Sequence, residues 1–548
     1  MRREINMKIK NIFSAVAAAA MLTACVGDLN TIPLNPTDVT SETAYGADEA
    51  GYVQGLTKIY FQLVSNNTQD LQVADGGASE FIRAFWSTQE VTTDAAKCAW
   101  GDAWVNDLNN CTWKGDVLND AVYAVYVRTL QGITYVNEYL RQTTDANLDL
   151  RGCSSDVKAK VQQYRAEARF LRAFYYWAAM DTFGQVPFST EDSPFGGGYN
   201  PPQTSREEIF NYIVSELTDL ASEGSAMPAA QSNSPRADKG SVLGLLARVY
   251  LNAEVYTGKG MWAEAKATCE KIYSLGYKLA PTHAEIFRGD NGENPDAKGE
   301  ILFAASYNAE HTQSYGGTTY LTLSTLSSDD GAINITGING GWAGNRVPYE
   351  YVTRWFEDVK NPDYSAGTYE FKDARAGYFY IKGRSESMQD NLNTFLNGWS
   401  CIKFNNVPHD VDPIDYSATA ATKNFSDIDW PLIRLGEIHL IYAEACMHAG
   451  GDASAQLKAL ADRAGVAAPK TVDNDFLMAE RARELMWEGH RRTDLIRYGK
   501  WISGYNWTFK GGNFAGQDLP SHFTIFPVPS TELSTNLELE QNPGYARP

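Results

Sequence analysis

The chain has few of the features that mark several common classes of protein. Its 548 residues include only seven scattered cysteines, with no Cys-x-x-Cys pair, which excludes a disulfide-rich scaffold and a cysteine-based metal site. No apolar run is long enough to cross a bilayer. Acidic residues (67) outnumber lysine and arginine (47), and no basic cluster follows the first ten residues. A nucleic-acid partner is not expected, because phosphate binding needs basic patches.

Motifs of the common catalytic classes are also missing. There is no GxSxG elbow, no HExxH pair, no GxxxxGK phosphate loop and no GxGxxG fingerprint. Glycosidases, however, need only two carboxylates at a set separation, and a sequence with 67 acidic residues does not reveal such a pair. A surface glycoside hydrolase therefore stays open as an alternative.

The N-terminus has the pattern of a bacterial lipoprotein signal. Four basic residues precede a short apolar stretch, and Leu22-Thr23-Ala24-Cys25 follows it. The pattern predicts a signal peptide over 1–24, lipidation of Cys25 and a polar tether over 25–45, with an ordinary secretory peptide as the alternative. In an oxidising compartment Cys98 and Cys111 could form a disulfide, although two buried thiols are equally compatible with the sequence.

Apolar residues recur at helical spacing in much of the chain. Helices are predicted over 165–183, ending at Gly184, and over 239–253, 261–275, 435–449 and 474–498. Neighbouring helices of this length resemble tetratricopeptide units. The sequence therefore predicts a mainly α fold: a tetratricopeptide-like helical scaffold over 46–280, a loop-rich ligand region over 281–430, and C-terminal helices and coil over 431–548 that complete the scaffold.

A dense charge cluster follows residue 480. Glu480, Arg483, Glu484, Trp487 and Arg491 recur at three- and four-residue spacing, which predicts ion pairs along one helix and toward its neighbours. We interpret the cluster, with His490, as a structural network rather than an acid–base site.

Four ordered segments carry a resemblance to a known family. They are Arg165–Tyr176 running into Phe183–Phe188, Arg434–Ala445, Glu480–Leu495, and the closing pair Phe526–Pro529 and Gln541–Tyr545. Across the whole mature chain, the sequence resembles the SusD/RagB family of outer-membrane nutrient-binding lipoproteins, and especially its starch-binding members.

The resemblance implies a ligand site built on three aromatic rings. Carried over by position, Trp100, Tyr315 and Trp342 form an arc for the apolar faces of sugar rings, with Asp75 and Arg83 as hydrogen-bonding partners. The loop between the second and third ring is longer than in the starch-binding pattern, so the curvature of the arc could differ. Trp86 is a reserve candidate.

The resemblance also implies a function without turnover. Such a protein captures a polysaccharide or oligosaccharide at the surface of the outer membrane and delivers it to a SusC-like TonB-dependent transporter. Starch or another α-glucan is the first choice of ligand, with levan, another neutral glycan or peptides as alternatives. No cofactor is required.

An oxygen-rich turn is a candidate for a structural calcium ion. Asp290, Glu293 and Asn294 lie close together there, and calcium prefers such ligands. The EF-hand spacing is absent, so a solvated turn without an ion is the alternative.

Overall fold

The computed structural model describes residues 44–66, 71, 73, 75–194, 196, 198–388 and 392–548. The described chain is mainly helical, as predicted. Its α-helices are α1 Glu49–Phe61, α2 Phe81–Trp86, α3 Ala103–Asn110, α4 Asp120–Gln142, α5 Asp145–Leu150, α6 Ser155–Phe183, α7 Arg206–Ala221, α8 Lys239–Leu251, α9 Ala253–Thr257, α10 Trp262–Tyr273, α11 Pro295–Glu300, α12 Gly317–Leu323, α13 Ile333–Thr336, α14 Tyr349–Trp355, α15 Pro413–Ala420, α16 Leu435–Ala449, α17 Ser454–Ala464, α18 Asn474–Glu484, α19 Arg491–Arg497 and α20 Ser530–Thr535.

The long helices form a row in which consecutive members pack together. α4 packs on α6, α6 on α7, α7 on α8, α8 on α10 and α10 on α16. Because each long helix packs on the next long helix of the row, the row has the nearest-neighbour packing of a helical-repeat scaffold. This row is the rigid body from which the loops of the central region project.

The longest helix, α6, shows how local sequence sets these elements. The Ser154 side chain accepts a hydrogen bond from the Val157 amide and so caps the first turn. From Ala166 onward nearly every side chain of α6 is buried, which makes α6 the centre of the core. Gly184, with φ of +75°, ends the helix where it was predicted to end.

The strands in the described part of the chain are short and occur as two-stranded pairs. The strands are β1 Lys97–Cys98, β2 Val186–Pro187, β3 Gln203–Thr204, β4 Ile301–Ala305, β5 Asn345–Arg346, β6 Lys360–Asp363, β7 Thr368–Glu370, β8 Phe379–Ser385, β9 Gly398–Cys401 and β10 Trp430–Arg434. β1 pairs with β5, β2 with β3, β4 with β10, β6 with β7 and β8 with β9, all antiparallel.

The prediction of one helix over 474–498 is wrong. The helix ends at Glu484 and a new one begins at Arg491. Between them Trp487 takes φ of +64°, its indole Nε1 donates to the Ala95 carbonyl at 2.9 Å, and its own carbonyl accepts from Trp86 Nε1 at 3.0 Å. These buried long-range contacts replace helical hydrogen bonds.

The residues that the structure describes contain no helix long and apolar enough to cross a membrane. The predicted signal peptide, Cys25 and nearly all of the tether lie outside the described residues.

Candidate functional site

Two short strands bring Trp100 and Trp342 to one surface. Beyond the β1–β5 pair, the Ala99 amide donates to the Gly344 carbonyl at 2.9 Å. Trp100 directly follows Ala99 in the sequence, and Trp342 lies two residues before Gly344, so both tryptophans are close to this hydrogen bond. Gly344 has φ of +116°, and a Cβ there would lie 2.5 Å from Trp100 Nε1. Glycine is therefore required for the indole ring to lie against this segment.

Tyr315 is the most exposed ring of the predicted arc. Its side chain is 51% exposed, and its ring centroid lies 5.9 Å from that of Trp342 and 5.1 Å from that of Phe425. Trp342 and Phe425 are half-buried. The three tilted rings offer an aromatic surface on which the apolar face of a sugar ring could stack.

Arg83 lies beside Trp100 and Tyr320 and pairs with Asp75. Its side chain is 2% exposed, and its Nη2 lies 2.7 Å from Asp75 Oδ2. The guanidinium carbon is 5.3 Å from the ring centroid of Trp100 and 4.3 Å from that of Tyr320. The ion pair and the cation–π contacts position Asp75 and Trp100. Asp75, whose side chain is 45% exposed, is the accessible polar group of the pair.

The Asp75 loop and the Tyr315 loop are in direct contact. Asp75 Oδ1 accepts from the Gly77 amide at 2.9 Å, and a Cβ on Gly77 would lie 2.4 Å from the Tyr315 carbonyl oxygen. These contacts, the Arg83–Asp75 ion pair and the β1–β5 pair connect the segments that carry all five residues predicted for the glycan site, although the Arg83 side chain itself is buried. Trp86 does not belong to this site, because its ring is fully buried in the core.

The sequence did not single out two residues at this surface. Phe425 packs on Tyr315, and the Asn393 Nδ2 donates to the Ala99 carbonyl at 3.0 Å beside Trp100. Phe425 reaches the site because the Asn339 amide donates to the Lys423 carbonyl at 2.9 Å. Both residues come from polar loops far along the chain, and no local pattern distinguishes them.

Glu80 supports the Tyr315 loop from inside. Its fully buried carboxyl group contacts the hydroxyls of Ser314 and Tyr307, and the Ser314 hydroxyl accepts from the Gly316 amide at 3.0 Å. A Cβ on Gly316 would lie 2.4 Å from Glu80 Oε2, so the loop fits closely over this carboxyl group. Burial raises the pKa of Glu80 to about 8.

We expect Glu80→Gln to reduce the loss of stability as pH rises from about 5 to about 8. The pKa of Glu80 is higher in the folded chain than in the unfolded chain, so its stabilising contribution is fully present below about pH 4.5 and is lost as pH rises to about 8. Between about pH 5 and 8, the urea midpoint of the variant should therefore fall less steeply than that of the wild type. Burial also raises the pKa of Glu90 to about 8, so part of the slope remains. Equal slopes in both proteins would contradict this assignment.

The turn predicted for calcium is organised by its own backbone. The amides of Glu293 and Asn294 donate to the Asp290 carbonyl at 2.9 and 2.7 Å, and Asn294 Oδ1 accepts from the Asp296 amide at 2.9 Å. The Asp290 carboxylate instead meets His409, and these two form a group with Asp410 whose ligand atoms lie within 4.8 Å of one another. A histidine nitrogen is not a ligand that calcium prefers. Calcium binding here stays a prediction.

The charge cluster after residue 480 is a buried ion-pair network. Arg434 Nη1 lies 2.8 Å from Glu484 Oε1 and 3.0 Å from Glu300 Oε1, and Arg434 Nε lies 2.6 Å from Glu488 Oε2. Burial lowers the pKa of His490 well below its usual value, which keeps it neutral. The predicted ion pairs are present both within one helix, where Arg483 Nη2 lies 2.6 Å from Glu480 Oε2, and between this helix and neighbouring elements.

Cys98 and Cys111 are two buried, free thiols in the structure. The Cys111 thiol donates to the Thr92 carbonyl at 3.1 Å, and the Cys98 amide donates to Asn109 Oδ1 at 2.9 Å. Of the two alternatives that the sequence left open, the structure shows the thiols.

Two family models match this chain. The model described as the SusD family matches residues 343–545, and the model described as starch-binding and associating with the outer membrane matches residues 64–251. The second match includes Asp75, Arg83 and Trp100, whereas Trp342 directly precedes the first.

Known proteins extend the similarity over almost the whole chain. The starch-binding protein SusD of Bacteroides thetaiotaomicron is 31% identical over 575 aligned residues, which cover 98% of this chain and 99% of the relative. SusD-like protein P2 of Formosa agariphila is 26% identical, with 87% and 93% covered. A SusD superfamily protein of Parabacteroides distasonis has a TM-score of 0.68 at 20% identity, with 93% and 100% covered. A SusD-like protein described as laminarin-binding has a TM-score of 0.64 at 20% identity, with 91% and 100% covered. The chain belongs to the SusD family.

Proposed function

We propose that this protein binds starch or another α-glucan at the surface of the bacterial outer membrane without changing it chemically. One observation carries the proposal: the exposed ring of Tyr315 lies against Trp342 and Phe425, on the same connected surface as Trp100 and the accessible carboxylate of Asp75. Aromatic faces with polar groups beside them are what a pyranose ring needs, because its CH face is apolar and its rim carries hydroxyls.

The choice of an α-glucan rests on the relatives. A relative that covers this chain almost completely is named as starch-binding, and one family model has a starch-binding description. A structural neighbour is described as laminarin-binding, but at 20% identity it supports the fold alone. Levan, other neutral glycans and peptides remain outcomes of the test.

The absence of turnover is supported by the state of two carboxyl groups at this site. Asp75 is held in an ion pair with Arg83, and Glu80 is buried against hydroxyl groups. A glycosidase needs a second carboxyl group that reaches the scissile bond from the open side of the site. Neither residue supplies an acid–base pair open to a bound glycan.

We also propose that the protein delivers its glycan ligand for transport into the cell. The lipoprotein pattern at Cys25 and the outer-membrane description of the matched family support anchoring at that membrane. From that position the protein would pass its ligand to a TonB-dependent transporter, whose own contacts add to the retention of a long glycan chain.

The test is affinity electrophoresis of a form that begins after Cys25, in gels that contain amylopectin, levan, dextran or no polysaccharide. We expect retardation by amylopectin and no new reducing ends after prolonged incubation with it. Unchanged mobility in every gel would contradict glycan binding by the isolated chain. Reducing ends that accumulate in proportion to the protein would support the hydrolase alternative.

A further inference from the structure

A cavity of about 280 Å³ opens between the segments around residues 282–288, 374–378 and 402–405. Among the side chains that line it are those of Arg288, Lys403 and Arg463, and no carboxylate of the described residues lines it. This is unusual for a chain in which 67 acidic residues produce a formal net charge of −20. A cavity of similar size is lined by charges of both signs, with Arg236 and Lys298 beside Asp238, Glu293 and Asp429. We call the first one the Arg288 cavity.

Two of the three cations that line the Arg288 cavity already form ion pairs with buried carboxylates. Arg463 pairs with Glu300 and Glu484, and Lys403 lies 2.6 Å from Glu488. All three carboxylates are buried, and none of them lines the cavity. These ion pairs fix the two cations in place but use only part of their donor capacity, since an arginine has five N–H groups and a lysine three.

Arg288 is different, because its charge has no partner. Among the described residues no carboxylate lies within 4.0 Å of its guanidinium, and no side-chain hydrogen bond engages it. Asp290 is the carboxylate that acts on it from farther away, and that carboxylate is engaged by His409. Burial lowers the pKa of Arg288, as expected for a half-buried cation without an anion.

The neutral groups of the cavity carry no negative charge that would repel an anion. His283 stays uncharged, because burial lowers its pKa well below the usual value. Its Nδ1 lies 2.8 Å from the Tyr378 hydroxyl and its Nε2 lies 3.0 Å from the Glu484 carbonyl oxygen, so the donors of both residues are engaged within the protein. The unpaired positive charge of the cavity is therefore that of Arg288.

We propose that the Arg288 cavity binds a small oxyanion, with the planar guanidinium of Arg288 as the group that recognises it. A guanidinium fits carboxylate and phosphate through two parallel hydrogen bonds. The volume admits an inorganic anion or one sugar acid and excludes a polymer. The proposal is independent of the aromatic surface and of its ligand.

The test is isothermal titration of the folded chain with sodium glucuronate, with inorganic phosphate and with glucose, at constant ionic strength. We expect saturable binding of at least one anion and none of glucose, which has the same ring without the carboxylate. Glucuronate alone indicates a sugar acid, and phosphate alone indicates an inorganic or ester phosphate. Arg288→Gln should weaken binding at least tenfold, and Arg288→Lys, which keeps the charge but loses the bidentate geometry, should weaken it less.

Arg354→Gln is the matched control, because Arg354 is exposed and does not line the cavity. It should bind the anion as the wild type does. Retention of Arg288→Gln in amylopectin gels shows that the variant is folded and that the aromatic surface works separately. No saturable heat with either anion in the wild type, or equal affinity in the wild type and Arg288→Gln, overturns the proposal. If Arg288→Gln does not fold, the anion affinity of Arg288→Lys is compared with that of the wild type. Equal affinities of these two proteins overturn the bidentate assignment.

Discussion

Replacing Trp342 by alanine is expected to abolish retardation in amylopectin gels and to weaken the binding of a soluble malto-oligosaccharide about tenfold or more. One ring contact contributes on the order of 1 kcal/mol, which is about a fivefold change in affinity. Trp342 also supports the exposed ring of Tyr315, whose centroid lies 5.9 Å away. The substitution therefore removes one stacking surface and leaves the neighbouring ring less well positioned. Isothermal titration would give the size of the loss.

The control for this experiment is another exposed aromatic residue. Phe371, at 43% exposure, lies beyond β7 and packs against Tyr369. Phe371→Ala should leave glycan affinity unchanged, whereas Trp342→Phe should keep part of it because a ring remains. If Trp342→Ala binds amylopectin as tightly as the wild type, the aromatic surface is not the binding site, even if the chain binds starch.

Substitutions of the three predicted rings do not separate an effect on glycan binding from an effect on stability equally well. Tyr315 is mostly free of the core, so its removal should change affinity more than stability. Trp100 is half-buried, with its ring 5.8 Å from Tyr320 and near the Arg83 guanidinium. A Trp100 substitution therefore combines a loss of ligand contact with a loss of packing, and its effect on binding should be read beside the unfolding midpoint.

The helical scaffold could be predicted because each helix is determined by residues that are close together in the sequence. The helix predicted over 435–449 is α16 with the same ends, and the predicted end of α6 at Gly184 is also correct. Apolar spacing and a glycine terminator are visible in a single stretch of sequence. The break after Glu484 was missed because its cause is distant: the Gly489 amide donates to Glu90 Oε1 at 2.7 Å, across most of the chain.

In the candidate site, too, some residues could be predicted from the sequence and others could not. Trp100, Tyr315 and Trp342 were predicted through the resemblance, since their loops keep recognisable glycine-rich patterns. Phe425 was not, because only the folded chain brings it to Tyr315. For Arg83 the residue was identified but its setting was not: a side chain 2% exposed holds Asp75 and Trp100 in place instead of facing the open surface.

The largest expected effect on stability comes from Glu484, at the centre of the buried ion-pair network. This fully buried carboxylate lies 2.8 Å from Arg434 Nη1 and 2.9 Å from Arg375 Nη1, and it also pairs with Arg463. These cations hold the pKa of Glu484 well below its usual value. Glu484→Gln preserves the shape but leaves buried guanidinium groups with too little negative charge, which costs about 3 to 5 kcal/mol when one partner of a buried pair is lost.

Urea unfolding at neutral pH measures that loss, with Glu357→Gln as the control because Glu357 is exposed. The variant should also respond differently to acid. A carboxylate with a lowered pKa contributes stability above its unfolded value of about 4.5 and loses that contribution as pH falls through its folded pKa. The wild type should therefore lose more stability than Glu484→Gln on acidification from neutral pH. A change of less than about 1 kcal/mol at neutral pH would mean that the remaining carboxylates, Glu300, Glu480 and Glu488, neutralise the network without Glu484, and that this cluster holds the C-terminal helices together through packing rather than charge.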